Sequence, residues 1–281
     1  MQFVCFSPSG ERIASASSDK TIKLWNVVSG SLVRTLKGHS QSVLSVCFSP
    51  DSKIIASSSS DSTAKLWDSN SGKLIRTLRG TSDYNFDIVN SVSFSPDGKY
   101  IVAASYEIDL WEIASGKRIW SVWGHWAPHV LKLYPSNSIS FSPDGKKLVS
   151  AGGDGNVEIM DVGSGISIRT FKGRCGLDVM SNCAYFSPNG KYIAFTDCAD
   201  YSITTGSQSR TSGDYSEISK IYIVNLWDSV SGNLIHTFGP HSSKVHSISF
   251  SPNGQLIATA SYNGIKLWHV ETSNLVRTFG E

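Results

Sequence analysis

The chain has 281 residues, of which 40% are hydrophobic and 17% are charged, and its formal net charge is +2 at pH 7. This composition is typical of a globular protein with enough apolar residues for a core, and the small net charge gives no broad attraction to nucleic acid or to an anionic membrane. No apolar run reaches the roughly 18 residues of a membrane span, and the first ten residues lack the basic and apolar regions of a secretory signal.

A recurring tripeptide organises the whole chain. Phe-Ser-Pro stands at 6–8, 48–50, 94–96, 141–143, 186–188 and 250–252. Most intervals between successive copies lie between 42 and 47 residues. A repeat of about 40–45 residues is typical of the blades of a β-propeller.

The second copy shows the content of one repeat most clearly. It contains four short runs with strand-like alternation, which we name strands a to d: "VLSVCF", "IIASSS", "TAKLW" and "KLIRTLRG". The turn "SPDS" separates the first two, because proline fixes φ and Asp and Ser favour turn positions. No segment has a helical period long enough to compete.

The residues Gly38-His39, Ser57, Asp61 and Trp67-Asp68 give the second copy the pattern of a known family. The chain resembles the WD-repeat (β-transducin-like) proteins, and the six copies cover essentially its whole length. The resemblance implies an all-β propeller of six four-stranded antiparallel blades. It also implies that His39, Ser57, Asp61 and Trp67 form a structural hydrogen-bonded chain. It says little about function, because this fold hosts many unrelated roles.

The same residues raise the possibility of a hydrolase, because serine, histidine and aspartate together can form a catalytic triad. The structural interpretation is favoured, since the trio belongs to a repeat and Trp67 stands where a substrate would lie. The other copies lose different members of the set, as at Ala103, Met160 and Phe195. We therefore expect no catalytic residue.

Two further motifs favour structure over ligand binding. "GGDGN" at 152–156 could cradle phosphate or bind calcium, but Asp154 stands six residues before Met160, as Asp61 does before Trp67, which predicts a turn between strands b and c. The cysteines 175, 183 and 198 lack the spacing of zinc ligands. We expect no metal and no cofactor, and the five cysteines, with no C-x-x-C pair, favour reduced thiols of a cytosolic protein.

The extra residues of the chain fall on one side of the predicted propeller. The spacing from proline to the strand-b hydroxyl position is seven in every copy, so the a–b turns are uniform. The connections from strand d to the next strand a lengthen before blades three, four and five, and the b–c loop of blade five has 22 extra residues. In an antiparallel meander these connections share one end. Loops held by a rigid scaffold are common binding sites.

We expect a protein or peptide partner on these loops, because exposed aromatic and arginine side chains are typical of interface hot spots. The candidate contact residues are Tyr84, Phe86, Asp87, Trp126, His129, Tyr134 and Arg174. The alternative is that these aromatic side chains fold back and cover the blade edges. Residues 199–219 are rich in Ser, Thr and Gly, which predicts a mobile insertion in blade five.

The predicted domain is one propeller of residues 1–281, with blades at about 1–37, 38–79, 80–123, 124–172, 173–239 and 240–281. No terminal strand overlap, or latch, is expected. Either six blades close by packing alone, or the chain is a fragment or subunit of a larger WD-repeat protein, or an open edge awaits a partner.

The function expected from the sequence is a non-catalytic interaction scaffold in the cytoplasm, with the nucleus as an alternative. A propeller enzyme with a site at the channel mouth and a nucleic-acid-binding protein are the competing hypotheses. The first would need acidic or histidine residues on strand a, and the second a basic stripe; neither is evident.

Overall fold

The computed structural model describes residues 2–80, 88–127, 132–173, 183–201 and 219–280. These residues form a six-bladed β-propeller, in which each blade is a four-stranded antiparallel sheet, and the described ranges contain no helix. The fold class predicted from the sequence is confirmed.

The first three blades are made of strands of four to six residues. Blade one contains β1 (Phe3–Phe6), β2 (Arg12–Ala16), β3 (Thr21–Asn26) and β4 (Leu32–Lys37). Blade two contains β5 (Val43–Phe48), β6 (Ile54–Ser59), β7 (Thr63–Asp68) and β8 (Leu74–Arg79). Blade three contains β9 (Ser91–Phe94), β10 (Tyr100–Ala104), β11 (Glu107–Glu112) and β12 (Arg118–Trp123).

Between blades three and four lies a separate two-stranded sheet of β13 (His125–Ala127) and β14 (Lys132–Tyr134). Blade four contains β15 (Ser136–Phe141), β16 (Lys147–Gly152), β17 (Val157–Asp161) and β18 (Ser167–Phe171). Blade five contains β19 (Ala184–Phe186), β20 (Tyr192–Tyr201), β21 (Ser219–Asp228) and β22 (Leu234–His241). Blade six contains β23 (Val245–Phe250), β24 (Leu256–Ser261), β25 (Gly264–His269) and β26 (Leu275–Phe279).

The Phe-Ser-Pro motif builds the turn from strand a to strand b. In blade two the Ser49 hydroxyl donates to Asp51 Oδ1 at 2.6 Å and accepts the N–H of Ile54 at 2.9 Å. Lys53 N–H also donates to Asp51 Oδ1, at 3.1 Å. The serine therefore satisfies the backbone as strand b begins, as buried polar groups require.

Alternation within each strand gives every blade two apolar faces. Five apolar clusters, one between each pair of consecutive blades, hold the sheets together. Between blades one and two, for example, Leu24 and Leu36 pack against Phe48, Ile55 and Trp67. Burying such side chains is the main stabilising contribution in stacked sheets. Among the described residues no comparable cluster joins blade six to blade one.

Every four-stranded sheet is made of four strands that are consecutive in the chain. Among the described residues, therefore, no strand from one terminal blade joins the sheet of the other. The expected absence of a terminal overlap is confirmed.

Candidate functional site

The ends of the sheets define two rims. Because all neighbouring strands are antiparallel, the b–c turns and the d–a connections lie at one end, which we call the variable rim, and the a–b and c–d turns lie at the other, the uniform rim. Hydrogen bonds link the parts of the variable rim: Val43 N–H donates to Ser17 O at 3.1 Å, and Ser60 N–H donates to Ser42 O at 3.0 Å.

In the c–d turns of the uniform rim, side chains of the turn itself already form hydrogen bonds with the turn backbone. In blade two Asp68 Oδ1 accepts the Ser71 N–H at 2.6 Å and its hydroxyl at 2.7 Å. The same arrangement recurs at Asn26, Asp161 and Asp228, each paired with the serine three residues later. Such Asx turns leave few backbone groups available for a ligand.

On the variable rim, the connection before blade four forms the hairpin β13–β14, in which His125 pairs with Tyr134 and Trp126 with Leu133. Gly124 N–H donates to Tyr106 O at 2.7 Å, and Gly153 N–H donates to Pro135 O at 2.9 Å. These bonds attach the base of the hairpin to the b–c turns of blades three and four. The insertion is therefore fixed to the scaffold at both ends.

The second elaboration of the variable rim is a long hairpin in blade five. Strands β20 and β21 each have ten residues and stay paired as far as Tyr201 and Ser219. Residues 199–201 and 219 of the predicted insertion therefore lie in strands, because the ladder of blade five continues outward, while the mobility of the insertion stays a prediction. Residues 202–218 lie outside the described residues.

The predicted contact residues are only partly covered by the structure. Tyr84, Phe86, Asp87, His129 and Arg174 lie outside the described residues. Trp126 lies in β13 on the variable rim. Tyr134 is buried, with 6% of its surface exposed, which is a correction: it is not an exposed contact residue.

The hydrogen-bonded chain of blade two links four side chains. Trp67 Nε1–H donates to Ser57 Oγ at 2.9 Å, and His39 Nε2 lies 2.8 Å from the same hydroxyl. His39 Nδ1 lies 2.8 Å from Asp61 Oδ2. Burial lowers the pKa of His39, although Asp61 opposes that shift. Ser57 is fully buried under Trp67, so it has no access to a substrate and cannot act as a nucleophile.

Blades four and six keep parts of this chain. In blade six Thr259 replaces the serine, and its hydroxyl lies 2.8 Å from His241 Nε2 and 3.0 Å from Trp268 Nε1. In blade four His125 contacts Ser150 at 2.9 Å and Asp154 at 3.1 Å, while Met160 occupies the tryptophan position. The turn interpretation of Asp154 agrees with its hydrogen bond from Asn156 N–H at 3.0 Å.

Blade five replaces the hydrogen-bonded chain with aromatic packing. Phe195 takes the place of the serine and stacks on Trp227, with ring centroids 5.9 Å apart and an interplanar angle of 10°. Phe171 of blade four packs on the same tryptophan at 5.2 Å. Apolar contact thus holds this tryptophan where no hydroxyl is available.

Sequence reasoning missed a buried acidic pair in blade three. Glu107 and Asp109 are buried on β11, at the positions that Thr63 and Lys65 occupy in blade two. Burial raises the pKa of Asp109 to about 6, even though Arg118 lies 3.3 Å away. The signal was present in the sequence as "EIDLW", where other copies have "TIKLW" or "TAKLW".

The central channel contains a cavity of about 480 Å³ lined by strand-a residues, mainly Phe, Ser and Pro. No Asp, Glu, His, Lys or Arg side chain lines it among the described residues. The same described part of the chain has no cluster of three His, Cys, Asp or Glu side chains able to hold a metal ion. The groups that a channel-mouth enzyme would need are thus not found there.

The cysteines differ from the expectation of free thiols at one position. Cys5, Cys47 and Cys183 are free, and burial raises the pKa of Cys5 and of Cys183 to about 12. Cys198, however, is disulfide-bonded, so the expectation of reduced thiols is wrong there.

In the described ranges, no helix has the length and apolar character required to cross a membrane.

Comparison with known proteins defines the class of protein to which this propeller belongs. Residues 2–26, 30–68, 72–107, 116–161 and 232–269 match the family described as WD domain, G-beta repeat. These segments make up more than half of the chain, and the chain therefore belongs to the WD-repeat family.

Curated relatives match along nearly the whole chain. It is 30% identical over 302 residues to the nuclear distribution protein PAC1 of Coccidioides posadasii, covering 99% of this chain and 59% of that protein. It is 33% identical to PAC1 of Arthroderma otae, covering 92% of this chain and 56% of that protein. It is 30% identical to the nuclear distribution protein nudF of Aspergillus niger, covering 98% and 60%. The chain thus spans less than two thirds of the length of these relatives.

Proposed function

We propose that this WD-repeat propeller is a non-catalytic scaffold that binds a peptide or protein partner on the variable rim of blades three to five. The observation that carries the proposal is the contrast between the rims. One rim has short turns whose backbone groups are already bonded, while the other carries the hairpin β13–β14 and the extended β20–β21 pair. Rigid frames with elaborated connections at one end commonly bind through those connections.

The names of the relatives suggest which cellular process this scaffold serves. They are named nuclear distribution proteins, and we propose that this chain serves the same process through a protein partner, in the cytoplasm or alternatively in the nucleus. Because the chain spans under two thirds of those relatives, it could act as one part of a larger WD-repeat regulatory protein. Nucleic acid and membrane are not among the proposed partners, in view of the net charge of +2.

The test is partner capture by tagged protein, comparing three forms of the chain. The first is unchanged, the second carries Phe86→Ala, in the connection that follows β8, and Trp126→Ala, in β13, and the third carries Val28→Ala and Val230→Ala. Val28 and Val230 are exposed apolar residues in the c–d turns of the uniform rim, which makes the third form a matched control.

We expect the second form to lose the partners that the other two retain, as identified by mass spectrometry, with the same melting temperature for all three. Equal capture by all three forms would reject the variable rim as the binding site. Loss in the third form alone would place binding on the uniform rim and equally reject the proposal.

A further inference from the structure

A cavity of about 480 Å³ opens on the variable rim of blade six, at the turn between strands b and c. It lies outside blades three to five, to which the proposed function assigns the partner. The connection before the blade, the b–c turn and strands c and d all line it, through His241, Ser242, Tyr262, Asn263, Lys266 and Thr278.

The b–c turn of blade six is one residue shorter than that of blade two. Where blade two has Ser60-Asp61-Ser62, blade six has only Tyr262-Asn263, between the paired residues Ser261 and Gly264. Gly264 also stands at the position of Thr63, so it adds no side chain. Blade six therefore lacks the turn carboxylate of the repeat, and the cavity adjoins the residues that would hold it.

Blade two shows which groups hold that carboxylate. Asp61 Oδ2 accepts the Ser40 N–H at 2.9 Å and lies 2.8 Å from His39 Nδ1. In blade six the equivalent Ser242 N–H has no acceptor among the described residues, and His241 Nδ1 contacts a backbone carbonyl instead, at 3.3 Å. The donors of the repeat are thus kept at a place where their acceptor is missing.

A half-buried lysine supplies positive charge to the same cavity. Lys266 Nζ donates to Pro240 O at 3.0 Å, and no Asp or Glu side chain lines the cavity among the described residues. In blade one, by contrast, Lys23 occupies the same position and lies 3.7 Å from Asp19 of its own turn. An ammonium group beside a backbone N–H is a favourable site for a carboxylate, because charge-assisted hydrogen bonds are strong.

The size and the mouth of the cavity favour a side chain of a polypeptide as its occupant. A volume of about 480 Å³ falls within the range of ligand pockets, so the cavity can admit a side chain together with adjoining main chain. Tyr262 at the mouth is 81% exposed, and its ring packs edge-on against His246 with the centroids 4.2 Å apart. An exposed tyrosine beside a polar pocket is typical of a protein-binding site.

We propose that this cavity binds a glutamate or aspartate side chain of an acidic segment in a protein partner. The carboxylate takes the place of the missing turn aspartate, between the Lys266 ammonium group and the Ser242 N–H. A carboxylate is favoured over a phosphate because the repeat itself holds a carboxylate with the same donors in blade two. The site lies on blade six and does not depend on the proposed function, so either proposal can fail without the other.

The first experiment asks whether the cavity recognises an acidic side chain. The whole chain is titrated, at constant ionic strength, with the capped peptides Gly-Glu-Glu-Glu-Gly and Gly-Gln-Gln-Gln-Gly, and binding is followed by NMR. We expect the acidic peptide to shift the backbone amide resonances of Ser242 and Lys266 saturably, and the neutral peptide to leave them unchanged.

Equal shifts with both peptides, or none with the acidic one, would overturn the proposal. Acetate or inorganic phosphate is titrated in the same way. If either bound as tightly as the acidic peptide, the site would belong to a small anion, which also overturns the proposal.

The second experiment changes the charge of the cavity. Lys266→Met removes the ammonium group, and Asn263→Asp, at an exposed position, returns a carboxylate to the turn. The matched control is Lys23→Met, at the same position of blade one, where Asp19 already faces the lysine. We expect the first two variants to bind the acidic peptide about tenfold more weakly and the control to bind it as wild type does.

Melting temperatures establish that each variant is folded, and if Lys266→Met is not, Asn263→Asp decides the result. Wild-type affinity in the folded cavity variants, or an equal loss in Lys23→Met, would overturn the proposal. The form carrying Phe86→Ala and Trp126→Ala is expected to bind the acidic peptide normally, which separates this site from the proposed function.

Discussion

Ser57 and Ser58 are neighbours in one strand and both are fully buried, yet their hydroxyls have different environments. Ser57 bonds both Trp67 and His39, whereas the Ser58 hydroxyl faces the interface with blade three and has no hydrogen-bond partner among the described residues. A buried hydroxyl without a partner carries an unrecovered desolvation cost. Substitution of each serine in turn therefore separates the contribution of the hydrogen-bonded chain to stability from the contribution of burial.

We expect Ser57→Ala to lower the free energy of unfolding by about 1–3 kcal/mol, because it leaves the tryptophan N–H and the imidazole without their shared partner. Ser58→Ala should be neutral or stabilising, since it removes an unsatisfied hydroxyl and keeps the backbone unchanged. Urea denaturation at neutral pH measures both changes. A similar loss in the two variants would contradict a stabilising role for the chain.

Asp109 gives a pH dependence whose sign can be worked out. Its pKa is about 6 in the folded protein against an ordinary 3.8, because burial outweighs the nearby Arg118. Below pH 3.8 the carboxyl is protonated in both states and contributes nothing unfavourable. Between 3.8 and 6 the unfolded chain loses the proton first, so stability falls as the pH rises, and the penalty stays constant above 6.

We therefore expect Asp109→Asn to raise the free energy of unfolding at pH 7–8 by about 1–3 kcal/mol, the upper end being the cost of a shift of about two pKa units. The two proteins should converge near pH 3.5. His241, whose pKa is lowered to about 4 by burial, is present in both proteins, so its own pH dependence cancels. Melting temperatures measured across this range test the prediction, and a variant less stable than wild type at pH 7 would show that the bond to Arg118 dominates.

At the level of elements, the repeat pattern predicts most strands because each depends on local alternation and on a turn of known chemistry. The Phe-Ser-Pro turns are examples, since Ser49 and Asp51 supply the bonds that the turn needs. The bulge at each strand-c tryptophan, or at Met160, was not predicted; the pairing with strand d shifts there in every blade. It follows from pairing between strands and leaves no distinct sequence signature.

The elements that sequence reasoning missed are fixed by distant contacts. The segment around Trp126 has no compact turn signature, and the hairpin β13–β14 depends on the bonds of Gly124 and Pro135 to turns of other strands. The extended pairing to Tyr201 and Ser219 continues a ladder that begins inside blade five. Composition alone indicated a mobile loop there, because segments rich in Ser and Gly are typical of flexible linkers and Gly disfavours strands.

For the candidate site, the sequence predicted which rim is elaborated but gave only a set of aromatic residues for its surface. Tyr134 illustrates the difficulty: an aromatic residue in an insertion can cover the scaffold or contact a partner, and only packing decides between them. The acidic pair of blade three was visible, but its burial was not, since blades one, two and six place lysine at the Asp109 position.

At the level of the whole molecule, leucines at equivalent positions of two blades differ in whether a neighbouring blade covers them. Leu66 is fully buried between blades two and three, while Leu267 occupies the same position on the uncovered face of blade six. We expect Leu66→Ala to cost about 2–5 kcal/mol of unfolding free energy, as is usual for a core leucine. Leu267→Ala should cost much less, and equal losses in chemical denaturation would show that a neighbouring blade covers both.

Among the residues that the structure describes, no apolar cluster joins the first and last blades, and this has a consequence for cooperativity. A closed circle of sheets has no weakest place, but a stack with two free ends behaves as a linear array in which each unit is held by its neighbours. The central sheets have two supporting neighbours and the outermost ones have one. Thermal opening would then fray the molecule from β1 and β26 inward, and backbone amides in blades three and four would be the last to exchange with solvent.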